Sequence, residues 1–210
     1  SNSISTTYYS GLLPFDYRAF DPVARVLVES PVLAVRAEAP WNTLAEFLAD
    51  AKAHPRKLTV GNSGIGSHTH ISSAALFKAA GVEIVEVPYG AAQVVPSLIG
   101  GHIDAVLQLP GALSTYVKAG TVRLLAALIP QRDPALPDVP TALEEGVNVS
   151  VEAWRGIAAP RGTPLPIIAA LEAAIRKSVD SPDFVRACEQ LGIRPAYMSA
   201  AEFGSAPKAK

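Results

Sequence analysis

The sequence predicts an α/β protein whose sheets are mainly parallel. Short apolar runs rich in valine and isoleucine, which favour strands, alternate along the chain with segments whose apolar residues recur at helical spacing. Short turns that contain glycine join the two kinds of segment, as in successive strand–helix units. Because 49% of the 210 residues are hydrophobic and only 18% are charged, the chain has enough apolar surface to form a core.

The first part of the chain contains most of these elements. We expect irregular structure over residues 1–20, followed by strands at Val23–Val28, Val32–Val35, Leu58–Val60, Ile84–Val87, Ile103–Leu107 and Val122–Leu128. The helices expected between them are one capped by Asn42 or Thr43 and ended by His54, one opened by Ser67 or Thr69 and closed by Gly81, and two more at Val94–Ile99 and Ala112–Ala119.

The proline content rises after Ile129. Three prolines within residues 134–140 predict an extended crossing on the surface. The elements expected after it are a short helix capped by Thr141, a strand at Val149–Trp154, helices at Pro166–Val179 and Pro182–Leu191, and a solvated tail at Gly204–Lys210. The apolar stripe of the first long helix is expected to be Ile167, Leu171, Ala174, Ile175 and Val179.

Composition excludes several classes of partner and site. A formal net charge of -1 and a pI near 6.4 provide no basic surface for nucleic acid or for an anionic membrane. No apolar run reaches the roughly 18 residues of a membrane helix, and the first residues lack a signal-peptide pattern. Cys188 is the only cysteine, which excludes an intrachain disulfide, and its helical context favours a buried apolar role.

The segment Gly61–Ser67 is the main candidate for binding chemistry. It lies between a predicted strand and the start of a helix, where backbone N–H groups lack intrahelical partners and the helix dipole favours an anion. Its glycines allow close approach of a ligand, and Ser63 and Ser67 add hydroxyl donors. A carboxylate fits such a concavity, but a strand-to-helix turn without a ligand explains the pattern equally well.

Familiar enzymatic loops differ from this segment at the decisive residue. A nucleophile elbow requires glycine where Ile65 stands, and a phosphate-binding loop requires lysine where Ser67 stands. The dinucleotide fingerprint requires a small residue in place of Thr69. His68 and His70 have no acidic or cysteine partner at metal-ligand spacing, so neither a metal nor another cofactor is expected. The chain is therefore predicted not to be an enzyme.

Four further polar residues are assigned from their positions. Tyr89 follows a strand at the sheet edge where open α/β sheets bind ligands, and is either a wall of the cleft or a half-buried ring. Gln108 ends an apolar strand and is expected to face the cleft. Asp104 would repel an anion, so we expect a structural role with a backbone N–H as its partner. His70 is expected to pack under the loop or to donate to it.

Several stretches, in this order, resemble one protein family. They are Gly61–His70, Ile84–Tyr89, Leu98–Asp104, Val117–Gly120, Pro134–Thr141 and Trp154–Pro160. The family is that of the tripartite tricarboxylate transporter substrate-binding proteins, also called Bug receptors, and the resemblance extends from Phe15 to about Phe203.

The resemblance implies a periplasmic-binding-protein-like fold of type II, with two α/β lobes that close over a carboxylated solute. Residues 1–35 would be a remnant of the first lobe with a hinge strand, residues 36–126 the complete second lobe, and residues 127–210 the return hinge and the rest of the first lobe. It also implies a periplasmic location and, as partners, a small carboxylate and the membrane components of such a transporter.

The resemblance and the residue patterns together define the expected ligand-binding set. Its members are Ser63, Gly64, Ile65, Gly66, Ser67, His70, Tyr89, Gly90, Ala91 and Gln108.

Two departures from the family pattern are visible. The glycine-rich loop of the family's first lobe has no counterpart, so the chain is expected to begin well inside the family sequence and to self-associate through the apolar face left uncovered. The lysine that usually separates the equivalents of Tyr89 and Gly90 is absent. An alternative function of a different class is a ligand-sensing or interaction protein of the same fold that acts on a signalling partner.

Overall fold

The computed structural model describes residues 8, 9, 11 and 13–205, and these form two compact units. One unit comprises the chain up to Glu29 together with Ala153 onward, and the other comprises Ser30–Glu152. The chain therefore passes between the units at residues 29–30 and again at 152–153. The second unit takes in residues 30–35 and 127–152 in addition to the segment 36–126 expected for the second lobe.

Ser30–Glu152 is built on a five-stranded sheet with the strand order β4-β3-β5-β2-β6. Its strands are β2 (Val32–Arg36), β3 (Thr59–Asn62), β4 (Val85–Pro88), β5 (Ala105–Gln108) and β6 (Val122–Ala127). Its helices are α1 (Leu44–Ala53), α2 (His68–Ala80), α3 (Val94–Ile99) and α4 (Pro110–Lys118). β3 is parallel to β4 and β5, whereas β2 is antiparallel to both β5 and β6.

Two apolar clusters cover the opposite faces of this sheet. The alternation of side chains along β2 places Leu33 and Val35 in one cluster and Val32 and Ala34 in the other. The first cluster includes residues of α1 and α2, and the second includes residues of α3 and α4. Burial on both faces explains why these strands read as continuous apolar runs rather than as alternating ones.

The other unit contains a three-stranded antiparallel sheet with the order β7-β1-β8. Its elements are β1 (Phe20–Glu29), β7 (Ala153–Pro160), α5 (Leu165–Val179), α6 (Pro182–Leu191), β8 (Arg194–Met198) and α7 (Ala200–Ser205). Gly156 leaves room for Phe203, since a Cβ there would lie 2.7 Å from the Phe203 ring and 2.9 Å from the Ala24 carbonyl oxygen. The ring of Phe203 contacts that of Trp154 edge-on, with the centroids 5.0 Å apart.

The predicted α/β class is confirmed, with sheets that are mixed in direction. Four strands of the larger sheet run the same way, and β2 lies between β5 and β6 in the opposite direction. The three-stranded sheet is antiparallel throughout and has no counterpart in the predicted parallel arrangement.

Several predicted elements are wrong in detail. The strand predicted at Val149–Trp154 begins only at Ala153, and the helix expected after Thr141 is a turn ended by Gly146, whose φ is +84°. The proline-rich segment is largely exposed but is folded into turns. On α5, Ile168 and Val179 are buried, whereas Ile167 and Leu171 of the predicted stripe are exposed.

The C-terminal region also differs from the prediction. β8 was not predicted, and the predicted tail begins inside α7, while residues 206–210 lie outside the described part. Two other expectations are confirmed. Cys188 is buried, and this burial raises the pKa of its thiol. Asp104 accepts the backbone N–H of Thr59 at 2.8 Å. Among the residues that the structure describes, no helix is both long and apolar enough to cross a bilayer.

Candidate functional site

The candidate site is the loop between β3 and α2, residues 63–67, which we call the β3–α2 loop. Ser67 is the N-cap of α2, and its Oγ accepts the His70 N–H at 3.1 Å. Of the two predicted caps, Ser67 and Thr69, the structure selects the first. The helix closes at Gly81 in the left-handed conformation, as predicted.

Glycines are required at residues 61, 64 and 66 for two physical reasons. Gly64 and Gly66 have φ values of +108° and +76°, which residues with a Cβ rarely adopt. Gly61, one residue before the end of β3, packs tightly, because a Cβ there would lie 2.5 Å from Ile103 Cδ1 and 2.8 Å from Val94 Cγ2. The end of β3 thus packs directly against the apolar cluster that includes residues of α3.

Backbone amides of the loop donate to side chains of the residues that flank it. The Ser63 N–H donates to Thr69 Oγ1 at 2.9 Å, and the Gly64 N–H donates to Asn62 Oδ1 at 3.1 Å. The Gly66 N–H donates to His70 Nδ1 at 3.2 Å. These bonds hold the loop in one shape. Because these backbone amides are already engaged, the hydroxyl groups of Ser63 and Ser67 are more accessible to a ligand as donors than the backbone N–H groups are.

Two predicted site residues, Ser63 and Gln108, meet at one edge of the sheet. β3, β4 and β5 are parallel, so their carboxyl ends, at Asn62, Pro88 and Gln108, lie side by side. Gln108 is only 4% exposed and donates through Nε2 to Ser63 Oγ at 2.9 Å. Its Oε1 accepts the Leu109 N–H at 2.8 Å. Gln108 therefore contacts the loop through Ser63.

The segment that follows β4 adjoins the loop on the other side. The Tyr89 N–H donates to the Asn62 carbonyl at 3.0 Å, and the half-buried Tyr89 ring packs with the α3 cluster. The Tyr89 carbonyl oxygen would lie 3.4 Å from a Cβ at Gly64. Gly90 and Ala91 are exposed and begin the turn into α3. The Tyr89 side chain is half-buried, and its role as a wall of the cleft stays a prediction.

Two residues that brace the loop were missed at the sequence level. Asn62 is fully buried, and its Nδ2 donates to Glu86 Oε2 at 2.6 Å while its Oδ1 holds Gly64. Thr69, also buried, holds Ser63 and contacts Ser67 Oγ at 3.0 Å. An asparagine two residues before a glycine is a recognisable turn signal, whereas nothing in the sequence indicates the role of Thr69.

The remaining loop residues differ in exposure. Ile65 stands at the tip of the loop with 81% of its surface exposed. His70 is partly buried and contacts the loop as an acceptor through Nδ1. Within the described residues, no group of three or more histidine, cysteine, aspartate or glutamate side chains is arranged to hold a metal ion.

Comparisons with known proteins agree on one family. A family model described as the tripartite tricarboxylate transporter family receptor matches residues 1–205. A UPF0065 protein of Pseudomonas sp. (strain P51) is 35% identical over 182 residues, which cover 85% of this chain and 54% of the relative. The chain thus spans about half the length of this curated relative.

Two solved structures give the same result. A TctC solute-binding protein from Polaromonas, solved without ligand, is 35% identical with a TM-score of 0.79, and the match covers 96% of this chain and 70% of that one. MatC from Rhodopseudomonas palustris, solved with bound malate, is 33% identical with a TM-score of 0.76, and the match covers 83% of this chain and 60% of that one.

Proposed function

Because the chain belongs to the tripartite tricarboxylate transporter receptor family, we propose that it binds a small carboxylate for uptake and that the β3–α2 loop is where the carboxylate binds. The observation that carries this proposal is the set of hydroxyl groups fixed at the carboxyl ends of three parallel strands. Ser63 is held by Gln108, and Ser67 caps α2. Hydrogen bonds from such groups to a carboxylate are charge-assisted and therefore stronger than those to a neutral ligand.

The ligand class is a small organic acid, whether a dicarboxylate, a tricarboxylate, or an aromatic or amino-acid carboxylate. The malate bound to MatC supports this class. The exposed side chain of Ile65 provides an apolar surface for the hydrocarbon part of such a ligand. No aspartate or glutamate occurs within Gly61–His70, so the loop itself carries no carboxylate to repel an anion.

The proposal extends to location and partners. The protein acts in the periplasm, delivers its solute to the membrane components of a tripartite transporter, and catalyses no reaction. The family match supports this assignment. The loop also has Ser67 where a phosphate-binding loop has lysine, and Ile65 where a nucleophile elbow has glycine.

Thermal unfolding of this chain in the presence of different anions tests the proposal. We expect the midpoint to rise with the concentration of malate or a related carboxylate, because a ligand that binds only the native state stabilises it by mass action. Sulfate and chloride at matched ionic strength are the controls. A panel of mono-, di- and tricarboxylates that produces no rise beyond these salts would overturn the proposal for this chain.

We also propose that the chain self-associates through α5. Ile167 and Leu171 lie one helical turn apart and expose 50% and 42% of their surfaces, an apolar face that favours association. The double variant Ile167→Glu/Leu171→Glu is expected to sediment as a monomer where the unmodified chain forms larger species. The control Ala169→Glu/Ala173→Glu adds the same charges at exposed positions of the same helix with the same spacing. Equal sedimentation of all three proteins would contradict association through this face.

A further inference from the structure

The amide of Gln108 has only one orientation that satisfies both of its ends. Its Oε1 lies 2.8 Å from the Leu109 N–H, which can only donate, so this end must be the oxygen. The opposite end is therefore the NH₂ group, which donates to Ser63 Oγ at 2.9 Å. Since Gln108 is only 4% exposed, solvent does not compete strongly for either contact.

This orientation determines the direction in which the Ser63 hydroxyl points its proton. Ser63 Oγ accepts a hydrogen bond from Gln108, so its own proton must be directed elsewhere. Among the described residues, no hydrogen bond gives that proton an acceptor. Ser63 is half-buried, and its hydroxyl is thus available as a donor to a ligand.

A second branch of the same network reaches Ser67. Thr69 Oγ1 accepts the Ser63 N–H and lies 3.0 Å from Ser67 Oγ, a contact in which either hydroxyl can be the donor. Ser67 Oγ also accepts the His70 N–H at 3.1 Å. When Thr69 is the donor, both lone pairs of Ser67 Oγ are engaged and the Ser67 proton is available to an external acceptor.

The His70 ring adds a third donor. Nδ1 accepts the Gly66 N–H at 3.2 Å, so the ring proton lies on Nε2. Ser63, Ser67 and His70 thus offer hydrogen-bond donors through their side chains.

We propose that Gln108 is the positioning residue of this site, which directs the Ser63 hydroxyl outward as a donor and so makes the loop selective for the ionised carboxylate over the neutral amide of the same shape. The inference rests on the proposed function, since it describes how the same loop distinguishes ligands. Gln108 acts through Ser63 and does not touch the solute.

A double-mutant cycle with malate and its neutral diamide, malamide, tests this role. The unmodified chain is expected to bind malate at least roughly ten-fold more tightly than malamide, the factor that one charge-assisted hydrogen bond provides. Gln108→Met removes the donor to Ser63 at similar volume, and Ser63→Ala removes the hydroxyl. Each is expected to weaken malate binding, and the double variant is expected to bind malate no more weakly than Ser63→Ala alone. If the losses of malate affinity in Gln108→Met and Ser63→Ala were additive in the double variant, the inference would be overturned.

A second, independent test replaces the donor group of Gln108 with an acceptor. In Gln108→Glu, the carboxylate accepts both the Leu109 N–H and the Ser63 proton, so the hydroxyl turns away from the ligand. The malate-to-malamide affinity ratio is then expected to fall at least roughly ten-fold. Gln131→Glu adds the same charge at an exposed position of the same unit and is expected to leave the ratio unchanged. An unchanged ratio in Gln108→Glu, or an equal fall in Gln131→Glu, would overturn the inference.

A measurement without ligand separates this inference from the proposed function. Hydrogen exchange of the side-chain amides, followed by ¹⁵N NMR, is expected to be much slower for Gln108 than for the exposed Gln131. Equal exchange would overturn the orientation of Gln108 even if malate binds. Slow exchange in a chain that binds no carboxylate would support the hydrogen-bond orientation while overturning both the proposed function and the selectivity that rests on it.

Discussion

Replacing Gly64 with valine is expected to lower the affinity of this chain for malate by at least roughly ten-fold. Gly64 has a φ of +108°, a conformation in which a β-branched residue is strained by about 1–3 kcal/mol. A Cβ there would also approach the Tyr89 carbonyl oxygen at 3.4 Å. The strain is relieved by movement of the loop, and the Ser67 N–H, which donates to the Gly64 carbonyl at 3.1 Å, moves with it. Isothermal titration with malate measures the loss.

Gly146→Val is the matched control for this variant. Gly146 lies in the same unit with a φ of +84°, and a Cβ there would have no atom within 4 Å. It is expected to lower the free energy of unfolding by a similar amount and to leave malate affinity unchanged. If both variants lost affinity equally, the effect would be one of stability, and the position of Gly64 in the binding loop would have no part in it.

Replacing Phe47 with alanine is expected to lower the free energy of unfolding by about 3–5 kcal/mol. Phe47 is fully buried in the apolar cluster that includes residues of α1 and α2. Its ring lies 5.1 Å from that of Trp41 and 6.1 Å from that of Phe77, centroid to centroid. The loss combines the transfer of the ring to water with the cavity left behind. It is comparable with the whole stability of many domains, which is about 5–15 kcal/mol.

Urea unfolding followed by tryptophan fluorescence measures this change, because Trp41 lies in contact with the deleted ring. Phe47→Leu retains most of the apolar volume and is expected to lose clearly less stability than the alanine variant. Equal losses in the two variants would show that the packing around Phe47 is less tight than the cluster indicates.

The architecture of the larger unit was predictable because its local signals agree with its tertiary packing. The strands predicted at Leu58–Val60 and Ile103–Leu107 overlap β3 and β5, and the serine and glycine at the two ends of α2 capped it where the sequence indicated. The other unit was less predictable. Almost every residue of Leu165–Ala170 is apolar, so the sequence of α5 does not identify a unique buried face. β8 contains Pro195 and lies at a sheet edge, where strand signals are weak.

The chemistry of the candidate site was predictable only in part. The glycines and serines of the β3–α2 loop identify a segment that can approach an anion. The partners of the loop amides were not visible, because the contacts of Asn62, Thr69 and Gln108 with the loop exist only after the sheet forms. Hydrogen-bond direction depends on which group faces which, and sequence spacing does not encode it for residues 45 positions apart, such as Gln108 and Ser63.

The central claim is that this chain binds a carboxylate at the β3–α2 loop, and titration of the ¹⁵N-labelled chain with malate tests it most directly. We expect saturable shifts of the backbone amide resonances of residues 63–70 and of the Gln108 side-chain amide. Sulfate at matched ionic strength is expected to leave them in place. Saturable shifts confined to other parts of the chain, or no shifts at any malate concentration, would contradict the claim.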